Sequence, residues 1–238
     1  MVRFDMIHPR RTDQRHSCHP VHPAIRTDPQ EDSMLKLHTA ATPNGRKISI
    51  ALEEIDAPYE AIRVDLEAGE QRSEAFLARN PNHKIPVLED GDRVIWESGA
   101  ILLYLGEKWD PEHRILSADE DRRWEAIQYA FFQTGGVGPN LGRLAEQLRR
   151  PEAERNQEMV AIFSAEIDRL LGVLDRILAD GREYMAIDYS IADIMHYPWL
   201  QPVLALGAPQ MTSRPRVVEW MERIAQRPAV QRGFAVGG

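Results

Sequence analysis

The sequence contains a single cysteine, Cys18, among its 238 residues. One cysteine excludes an internal disulfide framework and any cysteine-rich metal site. No apolar run approaches the ~18 residues that a membrane-spanning helix needs. The net charge of -8 gives no support to a nucleic-acid-binding surface. We therefore predict a protein without a metal, a membrane or a nucleic-acid partner, in a reducing, cytoplasmic setting.

The first 33 residues differ in composition from the rest of the chain. They hold four of the eight histidines and four prolines, and they show no periodic apolar pattern. We predict a disordered extension at 1–33, in which the histidines around Cys18 form no metal site because a disordered segment cannot preorganise ligands. Met34 directly precedes the first predicted strand, which makes it a candidate functional start.

Apolar patterns after Met34 predict an α/β domain over residues 34–112. Alternation predicts strands at 35–38 and at Ile62, Val64 and Leu66, with a helix between them. Helical character follows around 73–79. Two apolar runs flanking Asp90-Gly91 then predict a hairpin, and a helix opens at Ser98. The resulting order, β-α-β-α-β-β-α, matches the thioredoxin-like layout.

The remainder of the chain, 118–238, has only helical periodicity and predicts a second, all-α domain. The helices are expected at 119–148, 152–179, 190–206 and 214–226. Ser190 and Asp193 predict a capping box at the start of the third of these helices. Gly135-Gly136, followed by Gly138-Pro139, predicts an interruption in the first.

Pro86 stands at the entrance of an apolar strand, where a proline cannot donate to the ladder. One interpretation is an edge-strand proline. The other is a cis Ile85-Pro86 bond that turns the main chain of Ile85 towards a cleft, where it would pair with a peptide.

Glu97 and Ser98 stand where the next helix begins. The free amides of a helix N-terminus and the Ser98 hydroxyl suit a carboxylate, while Glu97 suits an ammonium. Alternatively, Ser98 is simply the N-cap. Lys84 is either a solvated lysine or the partner of a second carboxylate. Taken together, these groups predict a small peptide ligand with an amino-acid head and a carboxylate tail, which describes glutathione.

Thr42-Pro43-Asn44-Gly45 occupies the first strand-to-helix turn. The Thr42 hydroxyl and the Asn44 amide are able to donate to a thiolate there and lower its pKa. All four residue types are also ordinary turn formers. The local sequence alone favours this second interpretation.

Several segments resemble the cytosolic glutathione transferases, over about 34–234. They are "NPNHKIPVLEDGDRVIWESGAILLYLGEKW" and "DYSIADIMHYPWL", and, for the bacterial nu class, "HTAATPNGRKISIALEE" with "FFQTGGVGPNLG". The resemblance implies the glutathione transferase fold, a homodimer and glutathione as cosubstrate. It assigns Thr42 and Asn44 to the sulfur. It assigns the other ligand contacts to Gln71 and Lys84 at the glycyl end, Ile85 with Pro86 at the cysteinyl main chain, and Glu97 with Ser98 at the γ-glutamyl head.

Three functions follow from this resemblance. The first is reduction of disulfide bonds by the thiol of bound glutathione, because the predicted domains contain no cysteine of their own. The second is conjugation of glutathione to a small hydrophobic electrophile, or cleavage of a glutathione thioether. The third is a glutathione-binding or interaction protein without turnover. Residues 144–155, which help to line the second-substrate site in the family, are highly charged here, so substrate preference does not carry over.

Overall fold

The computed structural model describes residues 34–237, so the predicted disordered extension at 1–33 lies outside the described residues. The strands are β1 Leu35–Thr39, β2 Tyr59–Arg63, β3 Val87–Asp90 and β4 Arg93–Trp96. The helices are α1 Pro43–Glu54, α2 Glu74–Leu77, α3 Ser98–Lys108, α4 Glu120–Phe132, α5 Gly138–Arg149, α6 Gln157–Ile177, α7 Ile191–Ala205, α8 Pro209–Thr212, α9 Pro215–Ala225 and α10 Pro228–Ala235. Short 3₁₀ turns occupy Glu70–Arg72, Glu152–Glu154 and Leu178–Asp180.

The strands form one mixed sheet in the order β2-β1-β3-β4. The first two strands are parallel and joined through α1, whereas β3 pairs antiparallel with both β1 and β4. This sheet with its helices, followed by a helical region, confirms the predicted fold class. Among residues 34–237, no helix combines the length and the hydrophobicity that crossing a membrane requires.

The predicted position of the second strand was wrong. The ladder with β1 runs from Tyr59 to Arg63, so Val64 and Leu66 lie beyond its end. Their apolar side chains pack instead in a small cluster around Phe76. The alternation at 62–66 thus reflects the burial of side chains beyond the end of the strand. The ladder cannot continue because β1 ends at Thr39 and is followed by the strand-to-helix turn that contains Thr42-Pro43-Asn44-Gly45, which we call the opening turn.

The interruption predicted by the glycines is a π-helical segment, Gln133–Val137, between α4 and α5. The predicted capping box is also confirmed: Ser190 accepts from the Ala192 amide, while the Asp193 carboxylate accepts from the Ser190 amide at 2.9 Å. Helix α10 was not predicted. It packs against α1, which also contacts α3 and α7. One continuous apolar core therefore joins the sheet region to the helical region.

Candidate functional site

A small open cavity lies where the opening turn, the loop before β3 and the start of α3 meet. Its lining residues are Asn44, Asn80, Lys84, Ile85, Pro86, Glu97 and Ser98. Six of the eight residues predicted for the site are therefore brought together. The other two, Thr42 and Gln71, do not line this cavity.

The Ile85-Pro86 peptide bond is cis, as one of the two interpretations of this proline predicted. Pro86 is buried and Ile85 is half-buried. The antiparallel pairing of β3 with β1 begins at Val87. The main chain of Ile85 therefore lies outside the ladder and beside the cavity, where an extended peptide is able to pair with it.

The amino end of α3 supplies one wall of the cavity. Glu97 is the N-cap residue, and Ser98 is the first residue of the helix, so the N-cap alternative for Ser98 was wrong. Glu97 has a φ of 71°, a left-handed conformation that costs a non-glycine residue about 1–3 kcal/mol and that clusters at functional sites. The buried Ser98 and the free amides of the first turn create a site suited to an anion.

Asn80 shapes the loop that carries Lys84, and sequence reasoning missed it. Its buried side chain donates from Nδ2 to the Lys84 carbonyl at 2.6 Å and accepts from the Asn82 amide at 2.8 Å. Asn82 in turn donates to Glu97 Oε1 at 3.3 Å. The Asn-Pro-Asn sequence, composed of turn formers, was the available signal. This loop links the exposed lysine to the acidic end of the cavity.

In the opening turn, Thr42 is the N-cap of α1, and its hydroxyl oxygen accepts from the Gly45 amide at 3.2 Å. The hydroxyl hydrogen is therefore left for a second partner. Asn44, in the first turn of α1, accepts at Oδ1 from the indole Nε1 of Trp199 at 2.9 Å. Its Nδ2 is the donor end of the amide that lines the cavity.

A buried lysine adds to the electrostatics of this region. Lys47 of α1 is 2% exposed and donates to Gln133 Oε1 in the π-helical segment at 2.8 Å. Burial lowers the pKa of Lys47 to about 7, against a smaller opposing effect of the Glu97 carboxylate. Near neutral pH, Lys47 is thus only partly charged, and the exposed Lys84 supplies the cation at the mouth of the cavity.

Gln71 lies in the 3₁₀ turn after β2, outside the cavity lining. Its Nε2 donates to the Leu66 carbonyl at 3.5 Å, a long and weak hydrogen bond. The Gln71 amide is thus only loosely held.

Among the described residues, no group of three histidine, cysteine or acidic side chains is arranged to hold a metal ion.

Comparisons with known proteins identify two matching family models. The model described as "Glutathione S-transferase, N-terminal domain" matches residues 33–107, and the model described as "Glutathione S-transferase, C-terminal domain" matches residues 139–228. The second match includes α7, whose Trp199 contacts Asn44 in the cavity.

Two curated relatives match most of the chain. Glutathione S-transferase 2 of Schizosaccharomyces pombe is 37% identical over 212 residues, which cover 82% of this chain and 92% of that protein. Disulfide-bond oxidoreductase YfcG of Escherichia coli is 36% identical over 203 residues, with the same coverage of 82% and 92%.

A solved structure of a glutathione transferase from Pseudomonas putida, with one glutathione disulfide bound per subunit, has a TM-score of 0.80 to this chain. The two sequences are 36% identical, and the match covers 88% of this chain and 94% of that one.

Proposed function

The chain belongs to the glutathione S-transferase family, and from that premise we propose that it is an enzyme that binds glutathione in this cavity and reduces disulfide bonds with the thiol of the bound tripeptide. The composition of the cavity carries the proposal. Glu97 and the amino end of α3 suit an amino-acid head, Lys84 suits a carboxylate, and the Ile85 main chain lies in the same cavity.

The proposed ligand contacts follow the charges of glutathione. The ammonium of the γ-glutamyl head would pair with Glu97, and its carboxylate would accept from Ser98 and the first-turn amides of α3. The glycyl carboxylate would pair with Lys84 and accept from the weakly held Gln71 amide. The cysteinyl main chain would bond to Ile85.

The sulfur would then lie near the opening turn. The free hydroxyl hydrogen of Thr42 and the Nδ2 of Asn44 would donate to it, which favours the thiolate and lowers the pKa of the bound thiol. Thr42 and Asn44 are the proposed catalytic residues. Neither forms a covalent bond, and the described residues contain no cysteine.

Disulfide reduction requires two glutathione molecules. One thiolate attacks a sulfur of the substrate disulfide, forms a mixed disulfide and expels the other substrate sulfur as a thiolate. A second glutathione thiolate attacks the glutathione sulfur of that mixed disulfide, which yields glutathione disulfide and releases the remaining substrate thiolate. The two protons of the glutathione thiols end on the two substrate thiols. The bound glutathione disulfide of the Pseudomonas putida structure supports a site with room for both sulfurs.

Glutathione binding is tested by isothermal titration calorimetry on the Glu97→Gln enzyme. Removing the charge removes a charge-assisted hydrogen bond worth about 1.5–3 kcal/mol, so we expect the Kd of glutathione to rise about 10-fold to 100-fold. The matched control is Glu158→Gln, an exposed residue in the first turn of α6. Equal affinity of the Glu97→Gln and wild-type enzymes would remove Glu97 from the ligand site.

Conjugation of glutathione to an electrophile is the second candidate reaction. The similarity to the Schizosaccharomyces pombe glutathione S-transferase favours it, and the same activated thiolate would attack a carbon centre instead of a sulfur. Parallel assays with a small disulfide and an aryl halide distinguish the two reactions. Aryl-halide conjugation without disulfide reduction would establish the second.

The proposal includes a homodimer and a cytoplasmic location. Val94 and Trp96 leave apolar surface on the edge strand β4, and Trp124 with Phe131 exposes an aromatic face of α4. Such surfaces support self-association. A light-scattering mass equal to that of one chain would contradict the dimer.

The cytosolic glutathione pool, which keeps thiols reduced, suits the proposed reaction.

A further inference from the structure

Trp199 connects the helical region to the cavity, and the proposed mechanism does not yet use it. It lies on α7, 155 residues after Asn44, and donates from Nε1 to Asn44 Oδ1 at 2.9 Å. The indole is half-buried, and α7 packs directly against α1. The hydrogen bond therefore ties the first turn of α1 to the neighbouring helix α7.

The polarity of this contact determines which end of the Asn44 amide faces the ligand. An asparagine side chain presents an acceptor oxygen at one end and a donor NH₂ at the other, and the two ends exchange by a flip about χ2. An indole N–H donates only. A flipped Asn44 would place its NH₂ against the indole N–H, two donors facing each other. Trp199 thus keeps Asn44 Oδ1 facing the indole and leaves Asn44 Nδ2 as the end of the amide that faces the cavity.

The indole is itself seated against a glycine. A side-chain carbon at Gly142 of α5 would lie 3.5 Å from Cη2 and 3.7 Å from Cζ3 of Trp199. The ring therefore lies almost directly on the surface of α5. Gly142 ends the glycine-rich segment 131–142, so this segment supports the indole that contacts Asn44.

We infer that Trp199 is a positioning residue, which orients the Asn44 amide so that its NH₂ group donates to the sulfur of bound glutathione. The inference rests on the proposed function. A correctly oriented amide stabilises the thiolate, whereas a flipped one would direct a carbonyl oxygen at it. Trp199 therefore acts on the thiol pKa through Asn44 and not through contact with the ligand.

Trp199→Phe tests this inference, because phenylalanine keeps an aromatic side chain at this position of α7 and removes the N–H. A hydrogen bond of about 0.5–1.5 kcal/mol corresponds to a change of roughly 2-fold to 12-fold. We expect kcat/KM for disulfide reduction to fall by about that factor. The pKa of the bound glutathione thiol, followed by the ultraviolet absorbance of the thiolate, should rise, while the Kd of glutathione measured well below that pKa stays unchanged. The matched control is Trp109→Phe, which also removes an indole N–H donor, the one that bonds to Asp90 Oδ2 at 2.9 Å outside the cavity lining.

A double-mutant cycle with Asn44→Ala shows whether Trp199 acts through Asn44. In the Asn44→Ala background, Trp199→Phe should change neither the thiol pKa nor kcat/KM. An equal loss in both backgrounds would overturn the inference, as would a wild-type thiol pKa in Trp199→Phe. If Asn44→Ala alone leaves both quantities unchanged, the proposed role of Asn44 fails first and the inference fails with it. Thermal melts of all four proteins separate these outcomes from loss of folding.

Discussion

The Asn44→Ala enzyme is expected to bind the thiol form of glutathione with nearly the wild-type Kd but to reduce disulfides about 10²-fold to 10³-fold more slowly in kcat/KM. Removing one preorganised donor to a developing anion costs a factor of this size in other enzymes. Asn44 lines the cavity with an amide whose oxygen is already engaged by Trp199. The loss therefore falls on the donor to the sulfur and spares the charged ends of the ligand.

The measurement is steady-state reduction of hydroxyethyl disulfide, with glutathione affinity taken from calorimetry on the same preparations. Asn156→Ala is the matched control: its amide caps α6, outside the cavity. Removing that cap lowers the free energy of unfolding by about 1 kcal/mol and should leave kcat/KM unchanged. Wild-type kcat/KM in the combined Thr42→Ala and Asn44→Ala variant would remove both residues from the mechanism.

Asp193→Ala is expected to lower the free energy of unfolding by about 3–5 kcal/mol, because each buried donor left without its acceptor costs about 1–3 kcal/mol. The Asp193 carboxylate is fully buried, and it accepts a long hydrogen bond from the Ser190 hydroxyl at 3.4 Å as well as three shorter hydrogen bonds. The donors of the shorter bonds are the Met185 amide at 3.0 Å, the Ser190 amide at 2.9 Å and the Trp220 indole at 2.8 Å. One side chain thus fixes the start of α7, the preceding segment and α9.

Urea denaturation above about pH 7 measures this loss. Burial raises the pKa of Asp193 to about 6, and hydrogen bonds from Met185, Trp220 and Ser190 oppose that rise. The folded-state pKa therefore lies above the unfolded value of about 3.9, and stability falls as pH rises between the two. Above about pH 7 the carboxylate is ionised in both states. Asp121→Ala, an exposed acid in the first turn of α4, is the control, and a loss for Asp193→Ala no larger than for this control would contradict the account.

Local sequence patterns correctly predicted the elements that are determined by interactions between residues close together in the sequence. The hairpin follows from Asp90-Gly91 between two apolar runs, and the start of α7 follows from Ser190 and Asp193. The error at the second strand has a tertiary cause: Val64 and Leu66 alternate because they pack around Phe76, after the ladder with β1 has ended.

The candidate site likewise contains residues that local sequence signals predicted and contacts between distant residues that they did not. The residues close to one another in sequence, from Asn80 to Ser98, carry turn and helix-start signals that place most of the cavity. The Asn44 to Trp199 hydrogen bond joins residues 155 positions apart, and nothing in either local sequence indicates it. Gln71 was assigned from the resemblance alone, and the structure leaves it outside the cavity lining.

The most direct test of the central claim is the glutathione-dependent reduction of hydroxyethyl disulfide by the wild-type and Cys18→Ser proteins. If the bound tripeptide supplies the reacting sulfur, both proteins will catalyse the reaction at the same rate, well above the rate without enzyme. A reaction that disappears with Cys18 would show that a protein thiol performs the exchange. No catalysis by either protein would contradict disulfide reduction itself.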